Sequence, residues 1–275
     1  MQTKEVITSR SNSRLKFARK VREGLDKNFI FVEGQRLVNE ALRFGLEVSA
    51  LFVDIESKDK EGIKEIIQRA ENNGFFINLL SKQAFQSISD TVKPQGVAII
   101  GKRPVFSIET FGSKDLITTP VPAIYLFEIN NPSNLGAIIR AAAAAGAAAV
   151  FTSAGSCDSF SPKALRAGMG AHFRIPIFEN VGIDELSRKI SQDKMQIAAA
   201  DAKGEQSYLQ IDWRKIGLVI FGSEAFGLEK INKSLNIEKF RIEMENDIES
   251  LNLAVAAGVV LFEAKNKRQI NSNKK

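Results

Sequence analysis

Apolar positions along the chain switch between two periods. Lys16, Arg19 and Lys20 stand at i, i+3 and i+4, on one face of a helix that also carries Leu15, Ala18 and Arg22 elsewhere. A short strand follows over 28–32, then a helix over 33–42 with a stripe of Leu37, Val38, Ala41 and Leu42. Gly45 stops that helix, 48–53 reads as strand, 62–72 as an amphipathic helix and 75–80 as strand. Ser81 is placed to cap a short helix carrying Phe85 and Ile88, and 96–100 is a further apolar strand. Strands and helices alternating in this way predict a small α/β domain over 1–105.

Pro104, Gly112 and Pro120, with several Ser and Thr between them, interrupt the pattern, and a linker is placed at 106–118. Beyond it strands are expected over 123–127, 148–152, 174–178, 195–200 and 218–221. Helices are expected from Asn131 through Arg140 to about 145, where Gly146 ends the first, then over 162–167 and 250–265. The run Ala123-Ile124-Tyr125-Leu126-Phe127 has no polar alternate, as in a parallel sheet buried on both faces. The second domain is therefore α/β with a parallel sheet over 119–270, followed by a basic, disordered tail at 271–275.

Composition adds constraints. The 275 residues are 44% hydrophobic and 25% charged, enough for packed cores and unlike a disordered chain. No apolar run suits a bilayer and the first residues carry no apolar leader, so a cytoplasmic protein with no membrane association is expected. Cys157 is alone and His172 is the single histidine, so neither a disulfide nor a metal centre is expected. Net charge is +6, and its placement matters more than its size. Residues 1–27 hold eight cations against three anions, the stretch after Ala264 holds five more cations, and the middle is about −4. Two basic ends on a near-neutral body suit a polyanion such as a nucleic acid, with Arg10, Arg14, Lys16, Arg19 and Lys20 as its candidate contacts; a solvated helix face and a loose tail would give the same count.

Three clusters in the second half could carry chemistry. The first is Glu128-Ile129-Asn130-Asn131-Pro132-Ser133-Asn134-Leu135-Gly136-Ala137-Ile138-Ile139-Arg140, a strand end, a polar turn and a helix start. Unsatisfied N–H groups at such a helix start attract anions. Helical side chains lean toward the N-terminus, so Arg140 is expected to reach back over Gly136; an Asn N-cap and a surface Arg are the bland alternative. The second is Leu218-Val219-Ile220-Phe221-Gly222-Ser223-Glu224-Ala225-Phe226-Gly227-Leu228, a buried strand ending on glycine with Glu224 in the loop. Ligands of open α/β sheets bind at strand carboxyl ends, and a glycine there lets a ligand approach the backbone; an ordinary strand-to-loop turn has the same look. The segment is neither a GxGxxG nor a P-loop. The third is Ser250-Leu251-Asn252-Leu253-Ala254-Val255-Ala256-Ala257-Gly258, polar groups opening an apolar helix whose small residues allow close packing.

Taken together, in this order, the three clusters resemble the three motifs of the SpoU/TrmH family of SPOUT-class RNA 2′-O-methyltransferases, over roughly 122–265. The stretch Ser161-Pro162-Lys163-Ala164-Leu165-Arg166-Ala167-Gly168-Met169-Gly170-Ala171 resembles the family's segment between motifs one and two. Thr8-Ser9-Arg10-Ser11-Asn12, Lys16 and Glu33-Gly34 resemble the opening of the L30e-like substrate-binding domain found in many members. The resemblance implies a C-terminal parallel-sheet SPOUT domain with a deep trefoil knot and a small N-terminal α/β domain. Knots are rare, and periodicity would not reveal one. It also implies S-adenosylmethionine as cofactor, held at Gly222, Ile242 and Leu251, and a homodimer in which each site is completed by the partner subunit. Asn134, Arg140, Glu224, Ser250 and Asn252 match the family's functional polar residues. Two positions depart from its pattern: Asn131 stands where Asp is usual, and Gly168 where Ser is common.

The implied reaction is methylation of a ribose 2′-hydroxyl in structured RNA, most simply 23S-type ribosomal RNA. A transfer RNA substrate, and a non-catalytic RNA-binding protein of the same fold, are the alternatives. A nicotinamide enzyme would need a glycine-rich first βα turn, which is missing. Arginine resists deprotonation, so Arg140 suits an aligner of ribose or phosphate better than a general base, with Glu224 orienting it or the ribose.

Overall fold

The structure is a computed structural model that describes residues 5–112, 116, 119, 121–223, 227–228, 231 and 235–270. It divides into two compact units, one of residues 1–104 with 160–173 and one of 105–159 with 174–275.

The first unit opens with α1 (Ser13–Arg22), β1 (Phe29–Glu33), α2 (Gln35–Arg43) and β2 (Val48–Asp54). It continues with α3 (Glu61–Asn72), β3 (Ile77–Leu80), α4 (Lys82–Ile88) and β4 (Val97–Lys102). The four strands form one sheet in the order β1-β4-β2-β3, with β4 antiparallel to both neighbours and β3 parallel to β2. Period-two alternation sorts the core. Phe31, Phe52, Ala98 and Ile100 pack with Leu15, Ala18 and Val21 of α1 and with Ala84, Phe85 and Ile88 of α4. Their neighbours Ile30, Val32, Leu51, Val53 and Ile99 are buried as well, as a sheet covered on both faces requires. Glu33 is buried at the end of β1, where its carboxylate accepts bonds from Ser89 Oγ, the Asp90 amide and Thr91 Oγ1 and so ties down the loop after α4.

The segment 160–173, read from sequence as part of the second domain, groups with the first unit. The second unit starts with β5 (Ala123–Leu126), α5 (Pro132–Ala145) and β6 (Val150–Thr152). Then α6 (Pro162–Gly168) packs against β1 in the first unit, Arg166 pairs with Asp90 at 2.6 Å, and the Arg103 guanidinium lies over the Phe160 ring. The chain resumes the second unit with β7 (Ile177–Phe178), α7 (Ile183–Gln192), β8 (Gln196–Ala200) and β9 (Gln206–Ser207). It closes with β10 (Ile216–Phe221), β11 (Ile237–Arg241) and α8 (Leu253–Ile270).

All pairings in the second sheet are parallel, in the order β7-β6-β5-β10-β8-β11-β9. Thus β10 is laid between β5 and β8, two strands that precede it in the chain. One face packs Tyr125, Phe151, Leu218 and Ile220 against Leu186 and Ile190 of α7. Each of those two side chains contributes roughly 1.5–3 kcal/mol by leaving water. The alternate residues Ile124, Leu126, Val219 and Phe221 are fully buried too, and α5 and α8 pack against each other to cover the remaining apolar surface. Tyr125 donates its hydroxyl to the Val181 carbonyl at 2.9 Å; burial, with the nearby Asp184 charge, pushes its pKa up to about 12.

Five elements differ from the reading of the sequence. The helix α7 and the strands β9 and β11 were not expected, and β7 is two residues long where 174–178 was expected. Pro176 explains the last: it has no N–H to give, and its carbonyl accepts from Val150 before the ladder starts. The final helix begins at Leu253 rather than 250, leaving Ser250, Leu251 and Asn252 as its approach.

Candidate active site

The carboxyl ends of β5, β10, β8 and β11 share one edge of the parallel sheet. After β5 the chain turns through Glu128, which holds a left-handed φ of 52°. The loop after β6 supports this turn. Ser153 Oγ accepts from the Glu128 amide at 2.8 Å, Ser156 Oγ accepts from the Ile129 amide, and Ile129 returns its carbonyl to the Cys157 amide. Asn131 then caps α5, its Oδ1 accepting from the Ser133 amide at 2.9 Å, and Pro132 fills the first helical position, where no N–H is needed. The amide side chain at 131 therefore performs the capping that an Asp would, without its charge.

Asn134, on the first turn of α5, accepts a hydrogen bond from Asn252 Nδ2 at 3.1 Å. Asn252 Oδ1 in turn accepts from the Ala254 amide and opens α8. Residues 118 positions apart are thus joined by the packing of α5 on α8. Arg140 is exposed on α5 and, among the described residues, has no ion pair. Glu224 lies outside the described residues.

Beside this pair a cavity of about 440 Å³ opens at the ends of β8 and β11. Ile242, Ser250 and Leu251 are on its wall, together with Ala200, Phe240, Met244 and Ile248. Gly222 follows Phe221, which is in register with Ala200. A Cβ at Gly222 would lie 2.2 Å from the Gly227 carbonyl oxygen, so the glycine is required by the loop's own closure, which the Gly227 amide seals onto the Ser223 carbonyl. The close approach at Gly222 in this structure is of backbone to backbone.

The cavity's polar rim was not visible in the sequence reading. Asp201, at the end of β8, accepts from the Lys203 amide and pairs with Lys239 Nζ at 2.9 Å. Burial opposes its ionisation, but the Lys203 amide and the Lys239 ammonium outweigh that and hold the carboxyl below the usual range. Glu243 is likewise lowered, chiefly by the hydrogen bond from Ser207 Oγ at 2.8 Å. Arg241 donates to the carbonyls of Gly204 and Glu205. A Cβ at Gly204 would meet the Phe240 backbone at 2.5 Å, so only glycine lets this loop lie against β11. The wall is therefore apolar side chains and fixed backbone, with ionised groups at the rim. Its size suits a nucleoside-sized ligand. Among the described residues no group of three or more His, Cys, Asp or Glu is placed to share a metal ion.

The candidate RNA contacts separate on inspection. Lys16 is exposed. Arg19 is half-buried and donates to Ser87 Oγ at 3.1 Å and to the Arg10 carbonyl at 2.8 Å, so it holds α1 to α4 and to its own leading segment. Lys20 pairs with Asp26 at 3.5 Å. Arg14 donates to Asn78 and stacks over the Phe76 ring, and Arg10 is exposed. In the C-terminal stretch Arg268 points inward to the carbonyls of Trp213, Ile216 and Thr119, and burial lowers its pKa.

An all-parallel sheet with a nucleoside-sized cavity at its carboxyl edge, closed by a helix that returns to the first βα turn, defines an α/β protein built around a ligand at that edge. The chain belongs to the SpoU rRNA Methylase family, whose model matches residues 122–262. A second model, for RNA 2′-O ribose methyltransferase substrate binding, matches residues 31–105. A mitochondrial rRNA methyltransferase 3A of Danio rerio is 28% identical over 89% of this chain, which spans 65% of that relative's length. A 23S rRNA (guanosine(2553)-2′-O)-methyltransferase of Bacillus subtilis is 26% identical over 93% of the chain and 97% of the relative. The crystal structure of an AdoMet-bound rRNA methyltransferase from Sinorhizobium meliloti matches with a TM-score of 0.82 at 25% identity, covering 95% of this chain and 97% of that one. A SpoU methyltransferase from Streptomyces viridochromogenes shares the fold, at a TM-score of 0.82, 20% identity and coverage of 94% and 99%.

Proposed function

We propose that the protein methylates a ribose 2′-hydroxyl of structured RNA, with 23S-type ribosomal RNA as the substrate. The observation that carries this reading is the Asn134–Asn252 bond, which joins the first and third clusters beside a cavity walled by Ile242, Ser250 and Leu251. The cavity's apolar wall would hold S-adenosylmethionine, with Ile242 and Leu251 as the residues that would contact its adenine. When bound, it supplies a methyl group already activated on a sulfonium. The chain's own work is to align the 2′-oxygen and exclude competing water from it, the 2′-proton passing to solvent as the oxygen takes the methyl group. Asn134 and Asn252 hold the two helix starts in register, and Ser250 offers a hydroxyl to the ribose. Exposed Arg140 fastens the ribose or its phosphate and stabilises the developing alkoxide, and Glu224 orients it.

The domain limits 1–105, 106–118 and 119–270, the knotted threading and a cytoplasmic site of action belong to the same proposal. So does a homodimer. Val255 and Phe262 are 52% and 44% exposed on α8, an apolar face that a second copy would cover. Calorimetry separates the cofactor classes: saturable binding of S-adenosylmethionine without binding of NAD is expected, and the reverse would overturn the reading. Incubation with tritiated S-adenosylmethionine and unmodified ribosomal RNA should place label in the RNA.

A further inference from the structure

In the first unit a second cavity, of about 500 Å³, lies between the segment leading into α1 and the start of β3. Its wall includes Ser9, Asn12, Arg14, Phe76, Asn78 and, as its acidic member, Glu5. Phe76 is 53% exposed, so part of its ring is open to solvent. The Arg14 guanidinium lies 4.2 Å from the centre of that ring. Arg14 does not rest there by chance of rotamer. Its Nη1 donates to Asn78 Oδ1 at 3.0 Å, and Asn78 is 2% exposed and anchored by its own Nδ2 to the Leu51 carbonyl at 3.1 Å. A buried amide on β3 therefore holds an exposed guanidinium over an exposed aromatic ring.

We propose that this is a nucleotide-binding site for a single-stranded stretch of the RNA substrate, with one unpaired base stacking on the Phe76–Arg14 platform and its phosphate on Arg14. The proposal rests on the reading that RNA is the substrate. Sequence-tolerant RNA binding combines aromatic faces with cations that follow the backbone, and both are present here in fixed geometry. One of the five guanidinium N–H donors is used by Asn78, which leaves the group able to grip a phosphate while it remains stacked. Glu5, on the same wall, adds selectivity: its carboxylate accepts from a base N–H, such as the N3–H of uracil, and repels a second phosphate. The exposed charge of the same segment agrees, since Arg10 and Lys16 both stand on the surface. Phe76 and Asn78 fall within the stretch that matches the substrate-binding model, and Arg14 lies before it.

The test uses the full-length protein, a fluorescent single-stranded oligouridylate, a blunt RNA duplex of equal length and ribosomal RNA. Phe76→Ala should weaken binding of the single strand roughly five- to a hundredfold, the usual loss for one stacked base, with the salt slope unchanged. Arg14→Ala should weaken it and lower the slope by roughly 0.7, one phosphate's worth on a single strand. Phe76→Trp should bind like the wild type, and its indole emission should be quenched by the single strand and not by the duplex; the native Trp213 is fully buried and gives the background. Equal affinity of Phe76→Ala and wild type, or equal quenching by strand and duplex, would overturn the site. If the wild type still methylates ribosomal RNA in that case, the site alone fails; if the wild type neither binds nor methylates RNA, the functional reading fails with it.

Discussion

At the scale of single residues, Arg140 and Gly222 carry the sharpest consequences. Arg140 is exposed and touches no ion pair among the described residues, so its removal disturbs little of the fold. Arg140→Ala should leave S-adenosylmethionine affinity nearly intact and lower turnover roughly 100-fold or more, as loss of an oriented transition-state donor does. Arg140→Lys should restore little, because an ammonium cannot replace the planar fork. Steady-state rates decide, and a loss under about tenfold would make Arg140 peripheral. At Gly222 even one methyl group collides with Gly227, so Gly222→Ala should weaken cofactor binding in calorimetry through displacement of the 222–227 loop. Unchanged affinity in that variant would separate the loop from the cofactor. Asn134 and Asn252 stand apart from these two. Their pairing across 118 positions follows from tertiary packing, and only the joint resemblance of three clusters brought them together in the sequence.

At the scale of elements, the legible parts were those with a strong period. The buried strands of β5 and β10 and the stripe of α2 have apolar residues at every position or at helical spacing. The strand β11 has neither: in Ile237-Glu238-Lys239-Phe240-Arg241 only Phe240 is buried, and a mixed, mostly polar segment does not read as part of a buried sheet. The two residues of β9 are too few for any pattern. By contrast Ile183, Leu186 and Ile190 in α7 do stand at helical spacing and could have been found. Charge on α1 was legible as a count and misleading as a surface, because spacing orients a side chain without naming its partner. Arg19→Ala should therefore destabilise the protein by about 1–3 kcal/mol in urea unfolding, as loss of charged-group hydrogen bonds does. Lys16→Ala should change stability by less than about 0.5 kcal/mol. It should flatten the salt dependence of RNA binding by roughly 0.7–0.9 if Lys16 meets a phosphate. The β8–β11 staple adds a pH dependence. The Asp201 carboxyl is lowered in the folded state, so its contribution is present above the ordinary carboxylate range and is lost as pH falls through the folded value. Lys239→Met should move acid unfolding to higher pH, and an unmoved acid limb would remove that pair from the stability of the cavity rim.

At the scale of the whole molecule, the chain joins a unit matched by a substrate-binding model to a unit matched by a methylase model. The compact units are not a single cut along the sequence, since 160–173 groups with the first. The exposed apolar residues of α8 predict a homodimer in sedimentation, and Val255→Glu with Phe262→Glu should shift it to monomer with loss of activity. A fully active monomer would contradict a shared site. The central claim concerns the atom that receives the methyl group. Ribosomal RNA from cells lacking the gene, incubated with the protein and S-adenosylmethionine, should be cut by alkali into a ladder with one gap, because a methylated 2′-oxygen cannot attack the adjoining phosphate. RNA that gains label without any gap in the ladder would place the methyl group on a base and contradict the account.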